Sequence, residues 1–366
     1  MTPLAFNPVL SAGNQPQVLT RRNGKFYLRL AEKNAEKVEI TIEDQTIRLQ
    51  KVEEELFEAE LPFQEGIYYV QILVDGQEQL SPYLPIGYGY SRQYNYFDLE
   101  GPGTAFCALE NVPHGVIRSE IFFSSVTGEW ERCMVYTPPG YEAHPEMQYP
   151  VLYLQHGHGE NEIGWTAAGR ANLILDNLLA EGKAVPFVIV MNNGMVQRKD
   201  PAAPEGHVVD HLLFEAMLLR DVIPFVEQRY RAGGDKSRRG IAGLSMGSMQ
   251  SSMLACRHPE MFSEVGIFSG FLHDWISGGE LDASHHAPSR NEHLEVLRQG
   301  EAFRKQFHIF FRGIGDQDPF LRYFLEDDQL LEQCGVETER KIYPGTHDWN
   351  VWRRCFLDFA QEIFRL

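Results

Sequence analysis

The chain has 366 residues, and its 33 basic and 51 acidic side chains give a formal net charge of -18 at pH 7. At a typical ~150 residues per domain, this length predicts about two domains. The composition, with 43% hydrophobic and 23% charged residues, is that of a globular protein and excludes a disordered or fibrous chain. Because the net charge repels nucleic-acid phosphates and anionic lipid, we expect neither nucleic acid nor a membrane as a partner.

The N-terminal residues and the cysteines bear on the compartment. Pro3, Asn7 and Pro8 interrupt the first apolar residues, and the first basic side chain is Arg21, so the sequence as written predicts no signal peptide. No apolar run reaches the ~18 residues that span a bilayer. The 5 cysteines are widely spaced and include no C-x-x-C pair, which argues against a disulfide framework or a zinc ribbon. We therefore expect a cytoplasmic protein, or a secreted one if the sequence has been trimmed.

The first part of the chain has the pattern of an all-β domain. Short runs of alternating apolar and polar residues extend over residues 24–98, and one of them ends at the turn pair Asp75-Gly76. Such runs predict a small β-sandwich, which we place at residues 1–100. The string Gly101-Pro102-Gly103 follows and resists regular structure, so residues 101–115 are predicted to be a linker.

The remaining residues, 116–366, have the pattern of an α/β domain. After a predicted hairpin, the apolar runs become continuous, which is typical of strands that are covered on both faces. These runs lie at residues 151–154, 187–190, 241–242, 265–268 and 308–311. Helical patterns lie between and after them, at residues 171–181, 212–230, 248–257, 320–332 and 349–364. Strands that alternate with helices predict an α/β fold with a doubly wound, mostly parallel sheet.

A G-x-S-x-G string, Gly243-Leu244-Ser245-Met246-Gly247, stands directly after a short apolar run and directly before a helical pattern. This is the context of a nucleophile elbow, in which a sharp turn lifts the serine oxygen into a cleft. A serine hydroxyl is a weak nucleophile and needs a base and an acid that orients the base. We therefore predict Ser245 as the catalytic nucleophile.

Candidates for the acid and the base follow Ser245 in the chain order that such folds use. A predicted strand runs into Gly315-Asp316-Gln317-Asp318-Pro319, and either Asp316 or Asp318 could serve as the acid. A later strand ends in a loop that opens the last helix and carries His347. The other histidines lack this order and placement, so His347 is predicted to be the general base.

The oxyanion hole of such a site uses the backbone N–H that follows the nucleophile, here that of Met246, and a second N–H from a loop after an earlier strand. The string His156-Gly157-His158-Gly159 occupies such a loop, and we expect the second donor to be the N–H of His158. The two histidines also suggest a metal site. Because Glu160 alone does not complete a ligand set, we predict neither a metal nor an organic cofactor.

With these motifs in place, residues 112–366 resemble the esterase D and feruloyl esterase branch of the α/β-hydrolases, carbohydrate esterase family 1. The matching strings are Y-T-P-P-G-Y at 136–141, Y-P-V-L-Y at 149–153 with His156-Gly157, Trp165 with Gly169, L-D-N-L at 175–178, V-I-P at 222–224, A-G-L-S-M-G at 242–247 and G-T-H-D-W at 345–349. One departure is Ser248, where relatives commonly have glycine. The first domain resembles, through residues 66–69 and 74–76, the immunoglobulin-like module related to glycogen-binding domains.

This resemblance implies an α/β-hydrolase fold and a serine carboxylic-ester hydrolase, with feruloylated plant oligosaccharides as substrate. It also favours Asp318 over Asp316 as the acid, because Gly315-x-x-Asp318 followed by Pro-Phe-Leu matches the spacing of esterase relatives. Siderophore trilactones and acetylated xylan are alternative substrates on the same scaffold, and transfer of the acyl group to an alcohol is an alternative reaction. A carbohydrate-binding protein on an inactive hydrolase scaffold is the alternative from another class. Trp165, Trp275 and Trp349 are candidates for the acyl pocket because their loops neighbour the site, although Trp349 could equally belong to the core. The sequence leaves homo-oligomer formation open.

Overall fold

The computed structural model describes residues 18–203, 206–272, 285–286 and 295–365. The chain divides between Ala108 and Leu109 into two compact units. No helix within these described ranges is both long and apolar enough to cross a membrane.

The described part of the first unit is built from antiparallel strands. They are β1 (Leu19–Arg22), β2 (Lys25–Ala31), β3 (Val38–Ile42), β4 (Gln45–Glu53), β5 (Leu56–Leu61), β6 (Gly66–Val74), β7 (Gln77–Gln79), β8 (Ile86–Gly89) and β9 (Arg92–Leu99). Their order is β1-β2-β5-β4-β3-β6-β9-β8, and β7 pairs with β6. Asp75 and Gly76 close the β6–β7 hairpin with φ values of 49° and 84°, as a tight hairpin turn requires.

The core of the first unit follows from the two-residue period of its strands. In β3, Val38, Ile40 and Ile42 are buried and the residues between them are partly exposed. Alternate residues of a strand point to opposite faces, so one face of the sheet is buried in the core and the other is partly exposed to solvent. The all-β character predicted for this domain is confirmed.

The second unit is organised by an eight-stranded sheet among its described residues, in the order β10-β11-β13-β12-β16-β17-β19-β20. Its strands are β10 (Val116–Phe123), β11 (Trp130–Thr137), β12 (Val151–Gln155), β13 (Val188–Asn192), β16 (Arg239–Leu244), β17 (Glu264–Phe268), β19 (Ile309–Gly315) and β20 (Glu339–Tyr343). The pairs from β13 to β20 are parallel, whereas β10 and β11 run antiparallel to their neighbours. A smaller sheet joins β14 (Gln197–Lys199), β15 (His207–Asp210) and β18 (His285–His286).

Helices lie between the parallel strands and after the last of them. They are α1 (Gly164–Ala167), α2 (Ala171–Ala180), α3 (His211–Met217), α4 (Ile223–Arg229), α5 (Met246–Arg257), α6 (Glu301–Arg304), α7 (Leu321–Cys334) and α8 (Trp349–Glu362). A π-helical turn, Leu218–Val222, joins α3 to α4. Pro224 lies in the first turn of α4, where its missing N–H is tolerated. The sequence pattern predicted one helix over residues 212–230, and this wide turn is where the structure differs.

Each inner strand of this sheet buries residues on both faces. Ile241 of β16 and Val265 of β17 belong to a hydrophobic cluster that includes residues of α3, α4 and α5. Phe268 at the end of β17 instead packs against Phe359 of α8, with ring centroids 5.7 Å apart. Burial on both faces explains the continuous apolar runs and confirms the α/β class.

Helix α5 begins against a neighbouring loop with little space between them. Ser248, in its first turn, is buried and donates a hydrogen bond from Oγ to the carbonyl oxygen of Ser245 at 2.6 Å. A Cβ on Gly270 would lie 1.7 Å from Oγ of Ser248 and 2.8 Å from its Cβ. The serine that departs from the family pattern therefore occupies space that only glycine at position 270 leaves open.

We expect Gly270→Ala to lower the free energy of unfolding by about 1–3 kcal/mol, because the added methyl group overpacks a buried site. Ser248→Gly should relieve this clash, since the next atom, Cγ2 of Ile267, lies 3.6 Å away. Urea unfolding of the two single variants and the double variant measures the coupling, which should favour the double variant by about 1 kcal/mol or more. Additive effects would contradict the packing described here.

Candidate active site

Ser245 lies in a strained turn between β16 and α5. Its backbone has φ 50° and ψ -118°, a region that costs a non-glycine residue about 1–3 kcal/mol. The flanking glycines allow the turn to pack. A Cβ on Gly243 would lie 2.5 Å from the carbonyl carbon of Gly247, and a Cβ on Gly247 would lie 2.6 Å from the carbonyl oxygen of His156. Both glycines of the G-x-S-x-G string are therefore required sterically, because the backbone comes too close at each position to leave room for a side chain.

The structure brings Ser245, His347 and Asp318 into one hydrogen-bonded chain. His347 Nε2 lies 2.9 Å from Ser245 Oγ across 102 residues of sequence, and its Nδ1 lies 2.8 Å from Asp318 Oδ2. A carboxylate only accepts hydrogen bonds, so Nδ1 carries the proton and Nε2 accepts from the serine hydroxyl. This tautomer is the one in which imidazole can take a proton from Oγ.

Asp318, and not Asp316, contacts His347. Asp318 is buried, and its second oxygen accepts the Phe320 N–H at 2.9 Å, so the carboxylate is held from both sides. Asp316 Oδ1 accepts the N–H of Gly345 at 2.9 Å instead.

Asp316 therefore helps to tie together the loop that carries the acid and the loop that carries the base. Three further hydrogen bonds join these loops: Asp316 N–H to Tyr343 O at 2.8 Å, Gln317 N–H to Gly345 O at 2.9 Å, and Thr346 Oγ1–H to Gln317 O at 3.2 Å.

The loop that follows β12 packs against the nucleophile. A Cβ on Gly157 would lie 3.5 Å from the Cβ of Ser245. The buried ring of His156 holds this loop: Nε2 accepts the Gly194 N–H at 2.8 Å, so Nδ1 is protonated and donates to Gly157 O at 2.8 Å. Burial lowers the pKa of His156 to about 4, and the ring is neutral. Both ring nitrogens serve the backbone, which leaves neither available to a metal.

The orientation of the His158 N–H follows from the same contacts. The carbonyl oxygen of Gly157 accepts hydrogen bonds from His156 Nδ1 and, at 3.2 Å, from the N–H of Glu160. In a planar trans peptide, the N–H points away from the carbonyl oxygen, so these bonds fix the direction of the His158 N–H. The Met246 N–H opens α5, directly after Ser245.

The family is decided by a profile match over most of the second unit. The profile of putative esterases matches residues 124–363. The chain belongs to this esterase family. This match, together with the similarity to feruloyl esterases, confirms the resemblance that the sequence motifs indicated.

Several individual proteins resemble this esterase family member. This chain is 30% identical over 309 residues to an endo-1,4-beta-xylanase/feruloyl esterase of Xylanibacter ruminicola. The match covers 83% of this chain but only 39% of that protein. A solved ferulic acid esterase is 25% identical, with a TM-score of 0.58, and is covered completely by 69% of this chain. The enterobactin esterase of Shigella flexneri, 15% identical, has a TM-score of 0.63 with 94% of this chain and 95% of that one covered. At that identity, the likeness concerns the fold alone.

Two of the tryptophans that are expected in the acyl pocket lie buried in the core. Trp165 and Trp349 are 1% and 2% exposed, and their rings meet edge to face with centroids 5.1 Å apart. Trp165 donates its Nε1–H to Gln155 O at 2.9 Å. Both indoles are enclosed by the core, which for Trp349 is the alternative that the sequence left open. Trp275 lies outside the described residues.

Two aromatic residues that the sequence motifs do not single out hold the imidazole of His347. Phe320 and Trp352 meet this ring edge to face, with centroid distances of 5.0 Å and 5.1 Å. The sequence does carry a signal for each. Phe320 stands two residues after Asp318, and Trp352 stands one helical turn after Trp349.

Because the pKa of His156 is lowered in the folded protein, we expect the free energy of unfolding to depend on pH. The pKa of His156 is about 6.5 in the unfolded chain and about 4 in the folded protein. Between these two pH values the unfolded chain binds a proton and the folded protein does not, so the wild type loses stability as the pH falls. The free energy of unfolding of the wild type minus that of His156→Asn should fall by about 3 kcal/mol across this window. Urea unfolding at several pH values measures the difference. A difference that does not vary with pH would contradict a buried neutral imidazole.

Proposed function

We propose that this chain is a serine carboxylic-ester hydrolase that works through an acyl-enzyme. The observation that carries the proposal is the hydrogen-bonded chain from Ser245 through His347 to Asp318. The strained elbow, and its placement between a parallel strand and a helix, support the same assignment. An inactive scaffold that only binds carbohydrate would not require all three groups in contact.

The proposed reaction has two halves. Ser245 Oγ attacks the ester carbonyl carbon while His347 Nε2 takes the Oγ proton; the bond to the alcohol then breaks, and Nε2 returns that proton to the leaving oxygen. In the second half, water attacks the acyl carbon and gives its proton to His347, which passes it to Ser245 as the acid departs. Asp318 stabilises the imidazolium in both halves. We propose the N–H groups of Met246 and His158 as oxyanion donors, each worth about 3–4 kcal/mol.

We propose that the site lies in a doubly wound α/β-hydrolase domain at residues 116–366. It follows an immunoglobulin-like domain at residues 1–100 and a linker at residues 101–115. The parallel pairs from β13 to β20, with helix contacts on both faces, support the first assignment. The antiparallel strands before Leu99 and the division of the chain between Ala108 and Leu109 support the others.

We propose feruloyl esters of small plant oligosaccharides as the substrate. The similarity to the endo-1,4-beta-xylanase/feruloyl esterase of Xylanibacter ruminicola and to the solved ferulic acid esterase, which is 25% identical, supports this choice. A trilactone siderophore is the second candidate, because the fold of the enterobactin esterase matches 94% of this chain.

We expect the wild type to hydrolyse methyl ferulate with a higher kcat/KM than acetylated xylan or a catecholate trilactone. Ser245→Ala should abolish this turnover, and also covalent labelling by a fluorophosphonate, while the circular dichroism spectrum stays unchanged. The physical reason is that no other group replaces the attacking oxygen. Retained turnover in a pure Ser245→Ala preparation would refute the nucleophile, and preference for the trilactone would move the substrate assignment to the second candidate.

The two acids offer a matched pair of variants. Asp318→Asn should lower kcat on p-nitrophenyl acetate by about 10⁴-fold, because an amide NH₂ disfavours the tautomer that accepts the serine proton. Asp316→Asn keeps an oxygen that can accept the Gly345 N–H, so kcat should fall by less than about tenfold. Steady-state kinetics of both variants test the assignment, and the reverse ranking would exchange the two roles.

A further inference from the structure

Glu160 is a buried acid that the proposed reaction does not use. The residue is 8% exposed, and its Oε2 accepts the N–H of Gly157 at 2.9 Å. A carboxyl group gives up much of its hydration when it is buried, so it needs such partners. Burial raises the pKa of Glu160 to about 7, while the Gly157 N–H lowers it. Both the neutral and the ionised form keep an oxygen that can accept this hydrogen bond.

Gly157 is the residue at which the loop after β12 meets the nucleophile. A Cβ on Gly157 would lie 2.7 Å from Cδ1 of Leu244 and 3.5 Å from the Cβ of Ser245. Its carbonyl oxygen is held by His156 Nδ1 and by the Glu160 N–H. Its N–H is held by the Glu160 side chain. Glu160 therefore fixes the peptide on one side of Gly157 with its carboxyl and the peptide on the other side with its own N–H.

Glu160 also adjoins the core beneath the loop that carries His347. The indole of Trp349 lowers the pKa of Glu160, although its buried Nε1–H makes no hydrogen bond of standard geometry among the described residues. Trp349 packs edge to face on Trp352, which in turn contacts the ring of His347. The carboxyl thus lies between the loop beside Ser245 and the tryptophans that support the base.

We propose that Glu160 is a positioning residue, whose carboxyl oxygen holds the backbone of Gly157 so that the adjoining His158 N–H points at the developing oxyanion. This inference rests on the proposed function, because it assigns a role within the same reaction. The geometric demand is strict: a donor displaced by about 1 Å loses on the order of 100-fold in rate. Loss of the Glu160 carboxyl would then weaken the stabilisation of the transition state and lower kcat. Binding of the ground-state ester, and with it KM, would change little.

Three variants separate the hydrogen bond from the bulk and charge of the side chain. Glu160→Gln keeps an oxygen for the Gly157 N–H, Glu160→Met keeps the volume with only a weak acceptor, and Glu160→Ala removes both. On p-nitrophenyl acetate we expect kcat to fall by about 10- to 100-fold in the Met and Ala variants, with KM within about threefold of the wild type. The Gln variant should retain kcat within about threefold. Each variant is assayed below its melting transition, so that the kinetics report the folded protein.

Glu264→Ala provides the control, because Glu264 is also a buried carboxyl. It binds His308 and Ser263 at the start of β17, about 13 Å along the strand from Phe268, whose carbonyl oxygen accepts the Ser245 N–H. Its removal should lower the melting temperature but change kcat by less than about twofold.

The outcomes distinguish the two proposals. Wild-type kcat in a folded Met or Ala variant overturns the positioning role, and so does a Gln variant as slow as the Met variant. An increase in KM with unchanged kcat also overturns it, since that pattern indicates a binding role. If the wild type shows no turnover, or if Ser245→Ala retains it, the proposed function itself fails, whatever Glu160 does.

Discussion

Contact between two backbone segments beside Ser245 is the constraint on which the site depends. Gly243 and Gly247 let the elbow close on the loop after β12, and Gly157 lets that loop approach Ser245. Side chains at these positions would separate the segments. The strain in the Ser245 backbone is sustained because the surrounding structure is packed too closely to relax. The hydroxyl of Ser245, a weak nucleophile, is thereby held in a fixed direction beside the N-terminus of α5.

Much of this arrangement could be predicted from the sequence, because the elements that carry it have strong local signals. The pattern at residues 171–181 matches α2 closely, and that at residues 320–332 matches α7 to within two residues at each end. The three groups of the hydrogen-bonded chain could be found because each follows a strand of one parallel sheet, and the carboxyl ends of such strands meet at one edge. Chain order then selected His347 from the other histidines.

What the sequence could not give depends on burial and on direction. Trp165 lies in the short helix α1 and Trp349 begins α8, and nothing local in the sequence distinguishes a tryptophan that lines a pocket from one that fills the core. Asp316 and Asp318 are two residues apart, so only the turn after β19 decides which of them faces the imidazole. The sequence indicates Glu160 only as an incomplete metal ligand, because the group it binds is a backbone N–H, which no sequence pattern marks. The π-helical turn between α3 and α4 likewise leaves no pattern in the residues.

The hydrogen bonds between the loop of Asp318 and the loop of His347 have a consequence for motion. Asp316, Gln317 and Thr346 fasten the two loops to each other, whereas a single side-chain contact joins His347 to Ser245. Thermal fluctuation would therefore carry the imidazole and its carboxylate as one body and stretch the link to the hydroxyl first. The protein would keep its base correctly oriented even in moments when the attacking oxygen is out of reach, and restoring the site requires a single distance to close.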